Sequence, residues 1–421
     1  YICQTCGSQS AKWVGHCPAC NEWNTYVEEI TSTSKQKISK LSPSQGRPKK
    51  LEEIDIHELG RIETGNAEFD RVVGGGLVAG SMVLIGGEPG IGKSTLVLQL
   101  CLQLPKLKTL YISGEESLQQ LKMRAERLGN GHEQLFFLSE TSMESILTHI
   151  DQFMPELVIV DSIQTLVTER AESSAGSVTQ IRECTNQLIQ FAKGNNCPVL
   201  LIGHITKDGS LAGPKVLEHM VDAVLQFEGD QNHLYRILRV QKNRFGPTDE
   251  MGIFEMRSNG LQSVINPSEF LLADRDLKLS GNTVAAIIEG HRPLMIQSQS
   301  LVSTAAYGTP QRSATGFDNR RLGMLLAVLE KRAGFRLAVK DVFLNMVGGL
   351  RVNDTAADMS VVCAILSSDN NLAIDQDICF TGEVGLSGEF RPVNRIELRV
   401  AEAARLGFRQ IMIPHANMKG V

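Results

Sequence analysis

Gly87, Glu88, Pro89, Gly90, Ile91, Gly92, Lys93 and Ser94 form the pattern GxxxxGK[ST]. Residues of these types at this spacing cradle the phosphates of a nucleoside triphosphate. The glycines let backbone N–H groups turn inward around phosphate oxygens. Lys93 brings a positive charge to the β- and γ-phosphates, and Ser94 offers its hydroxyl to Mg²⁺. With Thr95, these residues make up the expected ATP-binding set. The apolar run Met82–Ile85 reads as a buried strand entering the loop, and Thr95–Leu100 as the helix leaving it. That order sets a helix N-terminus, with its partial positive charge, against the phosphates.

Other residues extend the same chemistry. Leu157-Val158-Ile159-Val160-Asp161 is an apolar run closed by an acid, and Asp161 is expected to hold Mg²⁺ together with Ser94. Tyr111-Ile112-Ser113-Gly114-Glu115-Glu116 ends in two carboxylates. Glu115 is the expected polariser of the attacking water, and Glu116 a cap for the next helix. Leu200-Leu201-Ile202-Gly203-His204 places a histidine where it would sense the γ-phosphate, although an isolated histidine is as often structural.

A separate constellation opens the chain. Cys3-x₂-Cys6-x₁₀-Cys17-x₂-Cys20 is a pair of CxxC knuckles, enough thiolates to close a tetrahedral Zn²⁺ site. Four thiolates leave no open position, so this zinc would be structural. Lys12, Trp13 and His16 lie between the knuckles. Trp13 and Trp23 are expected to form a mini-core, with nucleic-acid contact as the other reading.

The elements that must position these groups follow from pattern. A chain of 421 residues is too long for one ordinary core. Its 42% hydrophobic and 21% charged residues belong to a globular protein. The net charge of −5 excludes a polycation, so nucleic acid must be met by local basic clusters. No apolar run reaches the roughly 18 residues of a membrane span. Cys101, Cys184, Cys197, Cys363 and Cys379 sit in apolar segments, which suits a reducing cytoplasm. The expected domains are a zinc unit over 1–30, a Ser/Thr/Lys/Pro-rich flexible linker over 31–50, an α/β domain over 51–268 and an α+β domain over 269–421. Strands are predicted at 82–87, 109–113, 157–161, 198–203, 222–228 and 234–242. The first four form a parallel sheet and the later ones antiparallel hairpins. In the last domain, strands are predicted at 283–289, 294–302, 379–386 and 409–413, and helices at 318–333, 358–368 and 395–406.

The acid after the second strand, the Asp161 strand end and the strand-end histidine resemble the RecA-type P-loop ATPase core. With Lys242-Asn243-Arg244-Phe245-Gly246, the four-cysteine unit, Thr64-Gly65 and Gly74-Gly75-Gly76-Leu77, the whole chain resembles the bacterial RadA (Sms) family. That resemblance implies a DNA motor of recombination and repair, a helicase or branch-migration ATPase. It would work as a ring, expected to be hexameric, beside a RecA-type recombinase on single-stranded and branched DNA, without sequence preference. It also implies that Lys242 and Arg244 act in ATP turnover, with Lys242 reaching a neighbouring subunit's nucleotide as an arginine finger does. DNA contacts are expected from loops 166–180 and 206–217, through Arg170, Lys207 and Lys215. Two other readings remain: a RecA-family switch of the clock-protein type, and an ATP-dependent protease.

The protease reading arises because residues 270–421 resemble the Lon protease domain. Val352–Asp358 falls where that domain carries its nucleophile, with Ala356 at the serine; Glu397 falls at the lysine. Thr381–Val384 and Gly388–Val393 match the later Lon strand. A Ser–Lys dyad needs a hydroxyl and an amine within hydrogen-bond reach. Thr355 and Ser360 are the nearest hydroxyls and neither has an evident partner. The expectation is a scaffold without proteolysis. Two basic sets, Arg391/Arg395/Arg399, whose spacing of four puts them on one helical face if that helix starts early, and Arg320/Arg321/Lys331/Arg332/Arg336, are candidates for the DNA backbone or for surface ion pairs. The chain is further expected to lack residues before Tyr1 and the last elements of this domain after Val421.

Overall fold

The computed structural model describes residues 1–3, 8, 10–27, 50, 60–129, 131–204, 215–229, 235–264, 266–268, 272, 279–305, 309–348 and 350–420. Cys6, the linker 31–49, Lys207 and most of loop 206–217 lie outside them. The side chain of Lys215 does too. The chain divides into two compact units, Tyr1–Thr248 with Phe254–Ser263, and Asp249–Ile253 with Val264–Val421.

In the first unit, β1 (Ile2–Cys3) pairs antiparallel with β2 (Tyr26–Val27) in the cysteine-bearing segment. Its small core is Cys3, Cys17 and Tyr26, flanked by Tyr1 and Cys20. The expected tryptophan core is absent: Trp13 and Trp23 are 55% and 70% exposed. Clustered thiols already fill the centre of so short a chain, and the indoles are left outside. Trp13 donates its ring N–H to the Tyr26 carbonyl at 3.1 Å, and Trp23 packs on His16.

Next come β3 (Arg61–Ile62), α1 (Ala67–Val73) and β4 (Leu77–Val78). The main sheet then uses β5 (Met82–Gly87), β6 (Thr109–Ser113), β7 (Leu135–Ser139), β8 (Leu157–Asp161), β9 (Val199–His204), β10 (Ala223–Glu228), β11 (Tyr235–Asn243), β12 (Met251–Arg257) and β13 (Gly260–Ser263). Their spatial order is β13-β12-β11-β10-β5-β9-β8-β6-β7. The run from β10 to β7 is parallel throughout. Thus β10 lies parallel to β5 and antiparallel only to β11, where the sequence suggested hairpins alone. Edge strand β7 was not foreseen, although Leu135–Leu138 is a short apolar run; at the edge of the sheet it is only partly buried.

The central strands are apolar at consecutive positions because both faces are covered. Val83, Ile85, Tyr111, Ile159 and Ile202 face α2 (Lys93–Leu102) and α3 (Leu118–Leu128). Met82, Leu84, Leu110, Val158, Val160 and Leu201 face α4 (Met143–Phe153) and α5 (Val178–Asn195). The short α6 (Lys215–Met220) precedes β10.

The second unit holds a six-stranded sheet of β14 (Asn282–Glu289), β15 (Arg292–Thr304), β16 (Arg312–Thr315), β17 (Lys340–Met346), β18 (Ile378–Phe380) and β21 (Gln410–Met412), in the order β16-β17-β15-β14-β18-β21. A separate ribbon pairs β19 (Glu383–Val384) with β20 (Phe390–Arg391). Its helices are α7 (Asn319–Ala333), α8 (Asp358–Asp369) and α9 (Ile396–Arg405). The predicted strand 379–386 is therefore two strands in two sheets, and β16 and β17 were not foreseen.

Candidate nucleotide site and zinc ribbon

Strand register brings the chemistry to one edge. Gly87 pairs with His204, Asp161 with Ile202, and Ser113 with Asp161, so the phosphate loop and three polar strand ends share the carboxyl edge of the parallel sheet. That edge is where open α/β sheets bind ligands. The loop turns through left-handed glycines, with φ of 78° at Gly90 and 115° at Gly92, conformations that side chains resist. Helix α2 begins at Lys93 with no side-chain cap, which leaves its first N–H groups for an anion.

Lys93 is 4% exposed, and its amine donates to the Gly87 and Glu88 carbonyls at 2.8 and 2.9 Å. Burial lowers its pKa to about 8, against the opposing pull of Asp161 and Glu115. Arg236, from β11, braces the loop by donating to the Ile91 carbonyl at 3.2 Å.

Asp161 ends β8 at 5% exposure and accepts a 2.6 Å hydrogen bond from the Tyr111 hydroxyl. Burial and the Asp161 charge push the Tyr111 pKa well up, which keeps it a donor. Glu115 Oε1 accepts from the Ser162 hydroxyl at 2.5 Å and lies 3.1 Å from His204 Nε2. His204 Nδ1 in turn lies 3.4 Å from the Lys93 amine. Burial opposes ionisation of Glu115, but the bonds from Ser162 and His204 outweigh it and the pKa falls below the usual range. The two adjacent acids therefore diverge. Burial raises the Glu116 pKa, and its carboxylate is tied to Arg124. Glu116 does not cap α3 as the sequence suggested; Ser117 does, in a capping box with Gln120. Ser117 sits at the N-cap and its short hydroxyl reaches the N3 amide.

The sequence-predicted Lys93, Glu115, Asp161 and His204 thus converge, and Ser94 follows Lys93 in the first turn of α2. Lys242 and Arg244 lie elsewhere within this chain. The Lys242 amine donates to the carbonyls of Glu218, His219 and Val221 at 2.7, 3.3 and 2.7 Å. Arg244 pairs with Asp222 at 3.2 Å. The Lys242–Gly246 block packs on the glycine run after α1. Asn243 donates to the Val73 carbonyl and Arg61 to that of Phe245, while Gly246 and Gly74 approach so closely that a Cβ on Gly74 would stand 3.1 Å from Gly246 Cα. Arg170 lies 3.9 Å from Glu183, half-exposed. Sequence reasoning missed Ser162, Tyr111 and Arg236; only the position of Ser162 beside Asp161 offered a signal.

In the ribbon, the sulfurs of Cys3, Cys17 and Cys20 lie within 4.8 Å of one another, with Cys3 and Cys20 3.7 Å apart. Ligands on a tetrahedron of Zn–S bonds would be about 3.8 Å apart, so this cluster fits zinc.

In the second unit, Ala356 is fully buried with Val393 and Ile396, and Glu397 is exposed. Thr355 donates to Glu383 at 2.7 Å; the Ser360 hydroxyl meets those of Thr283 and Ser298. The three arginines expected on one helical face are not there. Arg391 lies in β20, Arg395 precedes α9 in a left-handed conformation, and Arg399 is buried on Asp354 at 2.7 Å. The helix starts at Ile396, too late to align them. Arg321 is likewise committed, its guanidinium forked onto the carboxylate of Asp358.

The fold and site define a P-loop ATPase of the RecA type behind a zinc ribbon. Residues 47–210 match the family model described as AAA domain, 1–28 that of the rubredoxin metal binding domain, and 298–417 that of subunit ChlI of Mg-chelatase. The chain is 49% identical to "DNA repair protein RadA" of Bacillus subtilis (strain 168), covering 100% of this chain and 93% of that protein. It is 48% identical to the protein of that name from Listeria monocytogenes, covering 99% and 92%. The chain belongs to the RadA family. Among solved structures, it is similar to the KaiC-like protein PH0186 of Pyrococcus horikoshii OT3, at 20% identity and a TM-score of 0.41, covering 49% of this chain and 99% of that one.

Proposed function

We propose that this chain is a DNA-stimulated ATPase that moves on DNA during recombination and repair. The observation that carries the reading is the convergence of Lys93, Glu115, Asp161 and His204 on one sheet edge behind the phosphate loop. The membership of a family of DNA repair proteins supplies the polymer. Lys93 would leave its loop carbonyls for the β/γ-phosphates. Ser94 and Asp161 would hold Mg²⁺, which supplies charge neutralisation on the phosphates when bound. Glu115, ionised and with Oε2 free of hydrogen bonds among the described residues, would orient and polarise the attacking water. His204, between Glu115 and Lys93, would report the γ-phosphate to the loop that follows it.

Ring assembly, with Lys242 and Arg244 of one subunit serving the nucleotide of the next, belongs to the same proposal, as does work beside a RecA-type recombinase in the cytoplasm. No described helix is long and apolar enough to cross a membrane. The Lon-like domain would be a ring scaffold without proteolysis. Buried Ala356 and exposed Glu397 support that, since neither offers half of a hydroxyl–amine dyad. The test is ATP hydrolysis with and without single-stranded DNA, alongside strand displacement on a forked duplex and particle images. Stimulation, displacement and rings are expected. Unstimulated hydrolysis without displacement, even beside the recombinase, would replace the motor with a nucleotide-driven switch.

A further inference from the structure

Among the described residues, the Glu115 carboxylate is held by two side-chain donors of unequal permanence, and both use the same oxygen. Oε1 takes the Ser162 hydroxyl at 2.5 Å and faces His204 Nε2 at 3.1 Å. His204 is 29% exposed, ends β9, and touches Lys93 at 3.4 Å, the group that must move when phosphates enter. Ser162 differs in every respect. It is fully buried, it follows Asp161 directly, and its carbonyl accepts the Thr165 hydroxyl at 2.8 Å. The same turn pins the backbone that carries the glutamate. Gly114 donates to the Asp161 carbonyl at 2.9 Å, and a Cβ on Gly114 would stand 2.0 Å from Thr165 Oγ1.

We propose that Ser162 is a positioning residue for hydrolysis, the fixed anchor that keeps Glu115 Oε1 occupied, and so aims Oε2 at the water, when His204 turns to the γ-phosphate. This rests on the role given above to Glu115. A hydroxyl donating to a carboxylate is among the stronger hydrogen bonds, and it acts at short reach from a buried backbone. Without it, the glutamate loses its last fixed donor at the stage when its orientation matters most. The side chain then rotates among rotamers of which few point at the water. In this role Ser162 acts on neither phosphate nor water directly; its effect passes through the Glu115 carboxylate it holds.

The test is a double-mutant cycle on the full chain. Hydrolysis of labelled ATP is followed in single turnover with enzyme in excess, so that slow rates over hours are readable, and nucleotide affinity is measured separately. In the parental background, Ser162→Ala should lower the hydrolysis rate roughly tenfold, the loss of about one charge-assisted hydrogen bond, while ATP affinity changes less than about twofold. In the Glu115→Gln background, Ser162→Ala should cost almost nothing further, because the group it positions has gone. An equal fold-loss in both backgrounds, or a loss of affinity in place of rate, would make Ser162 a packing residue and overturn the proposal. A parental rate for Ser162→Ala would overturn it too. A parental rate for Glu115→Gln alone would instead refute the role of Glu115 itself, a separate failure.

Discussion

Replacing Lys242 with methionine separates two roles for one amine. Methionine keeps most of the aliphatic stem and removes the charge. In this structure the amine closes the end of α6, donating to three carbonyls between Glu218 and Val221. Two of those contacts, at 2.7 Å, are partly buried, and the third, at 3.3 Å, is exposed. Each net hydrogen bond contributes about 0.5–1.5 kcal/mol, and water can replace some of what is lost. The expected destabilisation is therefore about 1–2 kcal/mol, or a fall of about 2–8 °C in Tm for a unit of this size. Burial, and secondarily Arg244, lowers the Lys242 pKa, so the amine gives up its proton more readily than a solvated lysine. The proposed intersubunit role would require the amine to leave all three carbonyls for a phosphate, so the cap would open as the proposed ring closed on nucleotide. The assay pairs calorimetry with ATP binding and DNA-stimulated hydrolysis, the latter measured well below the transition. The expected result is a lowered Tm, ATP affinity within about twofold and stimulated hydrolysis down at least tenfold. A lowered Tm with parental stimulated turnover would leave Lys242 a helix cap and nothing more. An unchanged Tm would contradict the capping energetics.

Three further outcomes are expected. Lys93→Ala should abolish ATP turnover, because among the described residues no other cation lies on the loop carbonyls at Gly87 and Glu88; turnover at the parental rate would refute the site. Arg321→Ala should destabilise the second unit by about 3–5 kcal/mol, since it strands the fully buried carboxylate of Asp358, yet leave the nucleotide affinity of the first unit unchanged; a shift below about 1 kcal/mol by denaturant titration would contradict the pairing. Chelation followed by alkylation at pH 8 should label the ribbon cysteines but spare Cys184, Cys197 and Cys363. Burial pushes the pKa of the first two up to about 12 and of the third to about 11, so at pH 8 their thiolate fraction is small; mass spectrometry showing them labelled as fast as Cys3 or Cys17 would count against this.

The sequence alone determined the parts of this protein whose physics is local. A phosphate loop is a run of consecutive residues, and its glycines, lysine and serine are readable because the turn and the helix start use neighbours in the chain. The paired knuckles are legible for the same reason. So are the polar ends of β6, β8 and β9, where a buried apolar run stops at a group that can do chemistry. Only the tertiary structure decided which of those groups meet. Glu115 and Ser162 are 47 residues apart and Glu115 and His204 89 apart, and no spacing rule announces a contact made across the top of a sheet. It also decided which cations are committed: Arg399 to Asp354, Arg321 to Asp358, Lys242 to the end of α6. Charge is written in sequence, but whether a charge is spent on a neighbour depends on burial and on partners brought near by folding, and those are properties of the packed chain.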